Sequence, residues 1–305
     1  MPSKPAESSA LQWRLSRLDA LMMAVVVIAI SSSGPVIALC AAPVLAMAVW
    51  RCIFAAGLTL PFALRNHGFS SLTKDQIRGC AFAGLALAIH FALWIPSVRL
   101  TSVANSVALV ATQPIWMLLM SKRLGTHIPR KVWWGIVVAF TGVLLVVNVD
   151  FGISTQALIG DAMALASAVA AGAYLMIGGH VRATVPNSVY TVIVYAVSAV
   201  SIAVVAVSIG TPLWGFSRRD WLLIGVLTLG AQLLGHSLMS RLMETTTPAI
   251  VGIAVLFEPP GAAIFAAILL KQSIPLTALI GMGVILFGLG IVVWQSNNAT
   301  VIDAI

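Results

Sequence analysis

Glu258 is followed by Pro259 and Pro260 about halfway along an apolar run, and this triplet carries the strongest chemical signal in the chain. A carboxylate at mid-bilayer costs about 3 kcal/mol or more unless it is paired, protonated or wet. Neither proline has an N–H to donate, so carbonyls one turn earlier are freed and the helix must kink. A helix broken at that depth can line a cavity, where Glu258 would bind a cationic or amino group or cycle a proton. The alternative is a structural hydrogen bond to a neighbouring helix. Pro114 gives an earlier run the matching kink, and Asn105, Thr112 and Gln113 are its polar groups, with Gln113 the best placed for a cavity. Arg51 is the other charge inside a run, about 12 Å from the outer end at 1.5 Å per residue. It could snorkel outward, pair with Glu258, or attract a substrate carboxylate through its planar donor fork. Structural pairing is the favoured expectation. His90 and His236 could titrate near neutral pH and relay protons with Glu258, against the plainer role of hydrogen-bonded packing. Trp94, Tyr174 and Trp50 are candidate aromatic walls of the pocket.

The elements that must position these residues are membrane helices. Of 305 residues, 60% are hydrophobic and 9% charged, with a mean hydropathy of +1.04. A soluble domain carries about a quarter charged residues. Apolar runs between polar breaks fall at 20–39, 43–64, 78–97, 101–121, 132–148, 157–178, 188–209, 220–240, 247–269 and 276–295. No period-two alternation is sustained, which argues against a β-barrel. The expected fold is an all-α polytopic membrane protein of ten transmembrane helices.

Residues 79–147 and 225–293 are two copies of one pattern at an offset of 146, with 15 of 69 positions identical, where composition alone would give about six. His90 falls on His236, Pro114 on Pro260, Gly135 on Gly281 and Gly142 on Gly288. An offset of 145 would instead pair Pro114 with Pro259 and Gln113 with Glu258. Five crossings per copy is an odd number, so the two halves should be inverted relative to each other. The expected organisation is a basic tail over 1–18, a first five-helix repeat over 19–148, a linker over 149–156, a second repeat over 157–296 and a tail over 297–305. Small residues of the sixth run, such as Ala164, Ala168 and Gly172, and Gly281, Gly283, Gly288 and Gly290 of the tenth, should allow close helix packing.

The net charge of +8 does not call for nucleic acid. With the N-terminus in the cytoplasm, 12 of the 17 basic residues fall on the inside, Arg99, Arg218, Arg219 and Lys271 fall outside, and Arg51 is left within a helix. That is the positive-inside pattern, and it places both termini in the cytoplasm; the plasma (inner) membrane is the expected location. Cys40, Cys52 and Cys80 lack paired spacing, so neither a disulfide framework nor a metal site is expected.

Trp50-Arg51, Thr112-Gln113-Pro114, Gly172-Ala173-Tyr174 and Glu258-Pro259-Pro260-Gly261, in this order on these helices, resemble EamA-type members of the drug/metabolite transporter superfamily over about residues 18–296. The resemblance implies a central cavity between the halves and alternating access for a small metabolite, often an amino acid or related compound, by efflux. No cofactor is expected. One departure is clear. Relatives often carry a Glu near the end of the fourth and ninth helices, where this chain has Lys122-Arg123 and Lys271, so a role for that Glu does not transfer. The expected partners are a small-molecule substrate, protons as a coupling ion and the bilayer, with a homodimer left open. A flippase for a lipid-linked substrate is the main alternative. An intramembrane enzyme is less favoured, since no buried Asp pair, His-Glu-x-x-His or Gly-x-Ser-x-Gly motif occurs.

Overall fold

The computed structural model describes residues 16–65, 69–70, 72–125, 130–146, 154–246 and 248–296. Most of the N-terminal tail, residues 149–153 of the linker expected over 149–156, Pro129 and the tail over 297–305 lie outside the described residues. The helices are α1 (Arg17–Ser31), α2 (Ser33–Leu39), α3 (Val44–Arg65), α4 (Lys74–Leu100), α5 (Val103–Val110), α6 (Gln113–Arg123), α7 (Arg130–Val146), α8 (Thr155–Arg182), α9 (Asn187–Ser208) and α10 (Arg218–Leu227). A π-helical segment, Thr228–Ser237, continues α10 into α11 (Leu238–Leu242), followed by α12 (Pro248–Val255), α13 (Glu258–Leu270) and α14 (Leu276–Ser296). Among the described residues there is no strand.

Each apolar run is mostly helical among the described residues. Among these residues, seven helical stretches are long and apolar enough to cross a bilayer, and Val132–Leu145, Glu258–Leu270 and Leu276–Gly288 are shorter apolar helices. Large apolar side chains such as Leu58, Phe62, Phe82, Val200 and Val204 point outward. In water that surface would aggregate; in lipid it meets its own kind.

Polar residues at the helix starts satisfy backbone donors that lipid cannot. Ser16 with Asp19, and Thr73 with Gln76, form reciprocal capping boxes on α1 and α4, while Ser154 and Ser217 cap α8 and α10. Two of these caps also tie distant elements. Asp19 accepts from Thr245 at 2.9 Å, and Asp220 accepts from the Ala41 backbone N–H at 2.7 Å.

The main packing pairs are α4 with α8, α7 with α14 and α3 with α9. Missing side chains set the closest approaches. A Cβ on Gly142 would meet the Gly281 carbonyl oxygen and the Ile285 nitrogen, both at 2.6 Å, and one on Gly288 would meet the Ala139 nitrogen at 2.4 Å and the Gly135 oxygen at 2.7 Å. These contacts are reciprocal at the 146 offset, and they run α7 antiparallel to α14. Gly283 and Gly290 have nothing within 4 Å of a built Cβ. The close packing expected of all four glycines of the last helix therefore belongs to one face, because helical periodicity turns the other two away.

Two helices break where proline dictates. Pro114 cannot donate to the Val110 carbonyl, and the chain turns at Ala111–Thr112 before resuming as α6. Pro259 and Pro260 cannot donate to Val255 and Leu256, and the chain turns at Leu256–Phe257 before α13. Measured from these breaks, Gln113 and Glu258 are equivalents, both first residues of a resumed helix. The 146 offset thus gives way to 145 at the break, so the counterpart of Glu258 is Gln113 rather than Thr112. The N-cap equivalence of Thr73 and Ser217 is 144. The π segment lies between, and its wider turns take up extra residues without extra length.

Candidate functional site

A narrow cavity of about 30 Å³ lies within the bundle, lined by residues from α1–α5, α6, α8, the π segment and α11–α13. Arg51, His90, Trp94, Gln113, Tyr174, His236 and Glu258 all line it. Seven of the eight binding candidates read from the sequence thus converge, from segments spread over more than 200 residues. The eighth, Asn105, does not line it; it sits in the first turn of α5, where its backbone N–H bonds Ser102 Oγ at 3.0 Å. Trp50 is also elsewhere. Its indole N–H donates to the Leu213 carbonyl at 2.7 Å, and its ring packs on Phe54, Trp214 and Trp221.

The two half-helices bring their N-termini to this cavity. Gln113 and Glu258 are each about 6% exposed. Orphan N–H groups and the helix dipole favour negative charge at such an end, so Glu258 meets some electrostatic support despite its depth. Ser31 Oγ donates to the Glu258 carbonyl at 3.3 Å. Gly261 makes this approach possible, since a Cβ there would stand 2.2 Å from Ser31 Oγ. Residues 31–33 form the α1–α2 joint, where Ser32 and Ser33 hydroxyls return to the carbonyls of Ala29 and Ile30 and Ser33 reaches the cavity wall.

His90 and His236 come together, with ring centroids 6.2 Å apart. His90 Nδ1 lies 3.2 Å from the Ser167 carbonyl oxygen. Ser167 Oγ lies 3.3 Å from the same nitrogen, so Nδ1 donates to the carbonyl in one tautomer and accepts from the hydroxyl in the other. The His90 ring stacks on Trp94 with an interplanar angle of 6°. His236 Nδ1 has no protein partner, and its ring meets Phe91 and Tyr174 edge-on.

Arg51 is fully buried. Its Nε donates to Gln232 Oε1 at 2.7 Å, and its guanidinium lies 4.3 Å from the centre of the Phe91 ring. The direct pairing with Glu258 expected for it is not formed: the ion pairs among the described residues are Arg78–Asp75, Arg182–Glu244 and Arg241–Glu244. The bundle holds the two charges on different walls of one cavity. Gln232 carries no charge and so does not stand out among the candidates read from the sequence. Its signal was available, as an uncharged polar residue four positions before His236 in an apolar run, which the wide π turn sets on one face.

Polar ties lie toward both ends of the bundle. At one end are Asp19 with Thr245 and the buried Arg182 with Glu244. At the other are Asp220 with Ala41, and Arg99 with the carbonyls of Cys40 and Ala42.

An all-helical membrane bundle around a buried, polar-lined cavity is the architecture of a multi-pass membrane transporter. The sequence pattern of the EamA-like transporter family matches residues 18–148 and 158–294, so the chain belongs to that family. The fold recurs among solved structures. One crystal structure, described only as that of a protein, superposes with a TM-score of 0.70 at 16% identity, covering 93% of this chain and 99% of that one. No curated protein matches the chain.

Proposed function

We propose that this protein is a secondary transporter that moves a small metabolite, an amino acid or related compound, out of the cell by alternating access. In this reading the chain crosses the plasma membrane ten times, as two inverted five-helix repeats with both termini in the cytoplasm. The reciprocal, antiparallel contact of α7 and α14 supports the inverted arrangement. The twelve-to-four split of basic residues supports the orientation. The observation that carries the reading is the cavity itself, where Glu258 and Gln113 head paired half-helices at equivalent points of the two halves. The polar ties at each end are natural gates, one opening while the other holds.

Glu258 is the group through which a proton or a substrate ammonium would couple to that movement. The test is uptake and counterflow of a metabolite panel in proteoliposomes, with and without a pH gradient. Glu258→Gln should lose transport, or lose its dependence on the gradient, at wild-type expression. Normal transport by Glu258→Gln at every pH would refute the role. A flippase for a lipid-linked substrate is the second reading. It draws on a groove of about 460 Å³ bordered by the outward-facing Leu58 and Phe62 together with Asn187, Arg241 and Glu244. Lipid scrambling by the same proteoliposomes, without solute counterflow, would favour it.

A further inference from the structure

Four buried nitrogens in and beside the cavity have hydrogens to give and no protein acceptor: Arg51 Nη1 and Nη2, Trp94 Nε1 and Gln232 Nε2. All four can only donate. An arginine present merely for packing would have its fork on carbonyls or a carboxylate, since leaving buried charged donors unmet is costly. Here Nε alone is engaged, by Gln232 Oε1, and that bond points the amide of Gln232 with its N–H₂ unspent. Phe91 covers the guanidinium face at 4.3 Å, which leaves the edge of the fork for an in-plane acceptor. Trp94 is held by its stack on His90, itself fixed by Ser167. These donors come from α3, α4 and the π segment, so no local sequence pattern creates them.

The cavity's carboxylate is not their missing acceptor, because Arg51 and Glu258 form no ion pair. A buried site therefore offers a planar cationic donor fork on one wall and an acceptor carboxylate on another. Ile30, Val110, Tyr174, Leu175 and Val255 supply apolar lining to the same narrow cavity, which must widen to admit a solute. We propose that Arg51, Trp94 and Gln232 bind the carboxylate of the transported solute while Glu258 takes its ammonium group, which makes the solute a small zwitterion with an apolar side chain. The proposal rests on the transporter reading and adds to it the residues that recognise the acid end. Guanidinium and carboxylate meet here as a two-point, in-plane contact, with the indole and amide N–H groups on the remaining lone pairs.

The test is thermal unfolding of the detergent-purified full chain with individual apolar L-amino acids, with the matching amino-acid amides, and with chloride or phosphate alone. At least one amino acid should stabilise the protein, and its amide and the inorganic anions should not. Arg51→Lys and Gln232→Leu should weaken that apparent affinity by about thirtyfold or more, as expected when one partner of a buried charged hydrogen bond is removed. Trp94→Phe should weaken it less. Gln232→Leu and Trp94→Phe leave the charge in place, so they report even if the arginine variant does not fold. Equal stabilisation by the amide, stabilisation by inorganic anion alone, no stabilisation by any amino acid, or wild-type binding by all three variants would overturn the assignment. Counterflow in proteoliposomes separates it from the transporter reading. Binding of acid but not amide without any exchange would sink transport and keep the carboxylate site. Exchange of solutes lacking a carboxylate would do the reverse.

Discussion

Alanine at Gly288 should loosen the α7–α14 contact, while alanine at Gly283 or Gly290 on the same helix should not. A Cβ at Gly288 would stand 2.4 Å from the Ala139 backbone nitrogen and 2.7 Å from the Gly135 oxygen. Backbone atoms cannot rotate away, so the helices must part by roughly 1 Å to restore ordinary contact distances, at a cost of about 1–3 kcal/mol. Gly142→Ala meets the same obstacle from the other side, against Gly281 and Ile285 at 2.6 Å. Once either alanine has separated the helices, the second clash is partly relieved, so the double variant should lose less than the sum. At Gly283 and Gly290 nothing lies within 4 Å, and alanine there gains up to about 1 kcal/mol of helix propensity. The assay is thermal unfolding of the purified protein in one detergent, read by the fraction remaining monodisperse. Wild-type stability for Gly288→Ala, or a shift of the same sign for all four single variants, would refute the packing argument.

Gly261→Ala should push Ser31 off the Glu258 carbonyl and lower counterflow, because its Cβ would lie 2.2 Å from Ser31 Oγ and 2.7 Å from Ser31 Cβ. Ser31→Gly in the same chain should restore part of the activity, and failure to do so would place the defect elsewhere. Arg182→Met should destabilise the fold by about 2 kcal/mol, below the usual range for a broken buried pair. The reason is that Glu244 is 28% exposed and keeps Arg241 at 2.9 Å; equilibrium unfolding measures the loss. Cys40, Cys52 and Cys80 are all buried, and burial also pushes the Cys40 thiol above its ordinary range. Mass spectrometry after maleimide treatment at neutral pH should find all three unmodified until the protein is denatured, and rapid native labelling of any one would contradict its placement.

The chain's order of apolar runs is enough to place the helices, because the bilayer demands of each segment a local property, its hydropathy and length. The same solvent makes charge and helix breaks expensive, so Glu258, Arg51, Pro114 and the Pro259-Pro260 pair stand out without any structure. The repeat paired His90 with His236 for the same reason: it is written in residue types. What each costly residue faces is a different kind of fact. Arg51 bonds Gln232 across 181 positions and leaves Glu258 unpaired, a choice made by how α3 and the π segment pack rather than by either residue's neighbours. The one-residue shift that makes Gln113 the counterpart of Glu258 is likewise set by where the two helices break and by the π turns before them. Gly288 and Gly290 are alike in sequence and opposite in surroundings, since one faces α7 and the other nothing. Hydropathy and proline chemistry act along the chain and can be read there; azimuth, register and partner choice arise from contacts between distant helices, and only the folded bundle decides them.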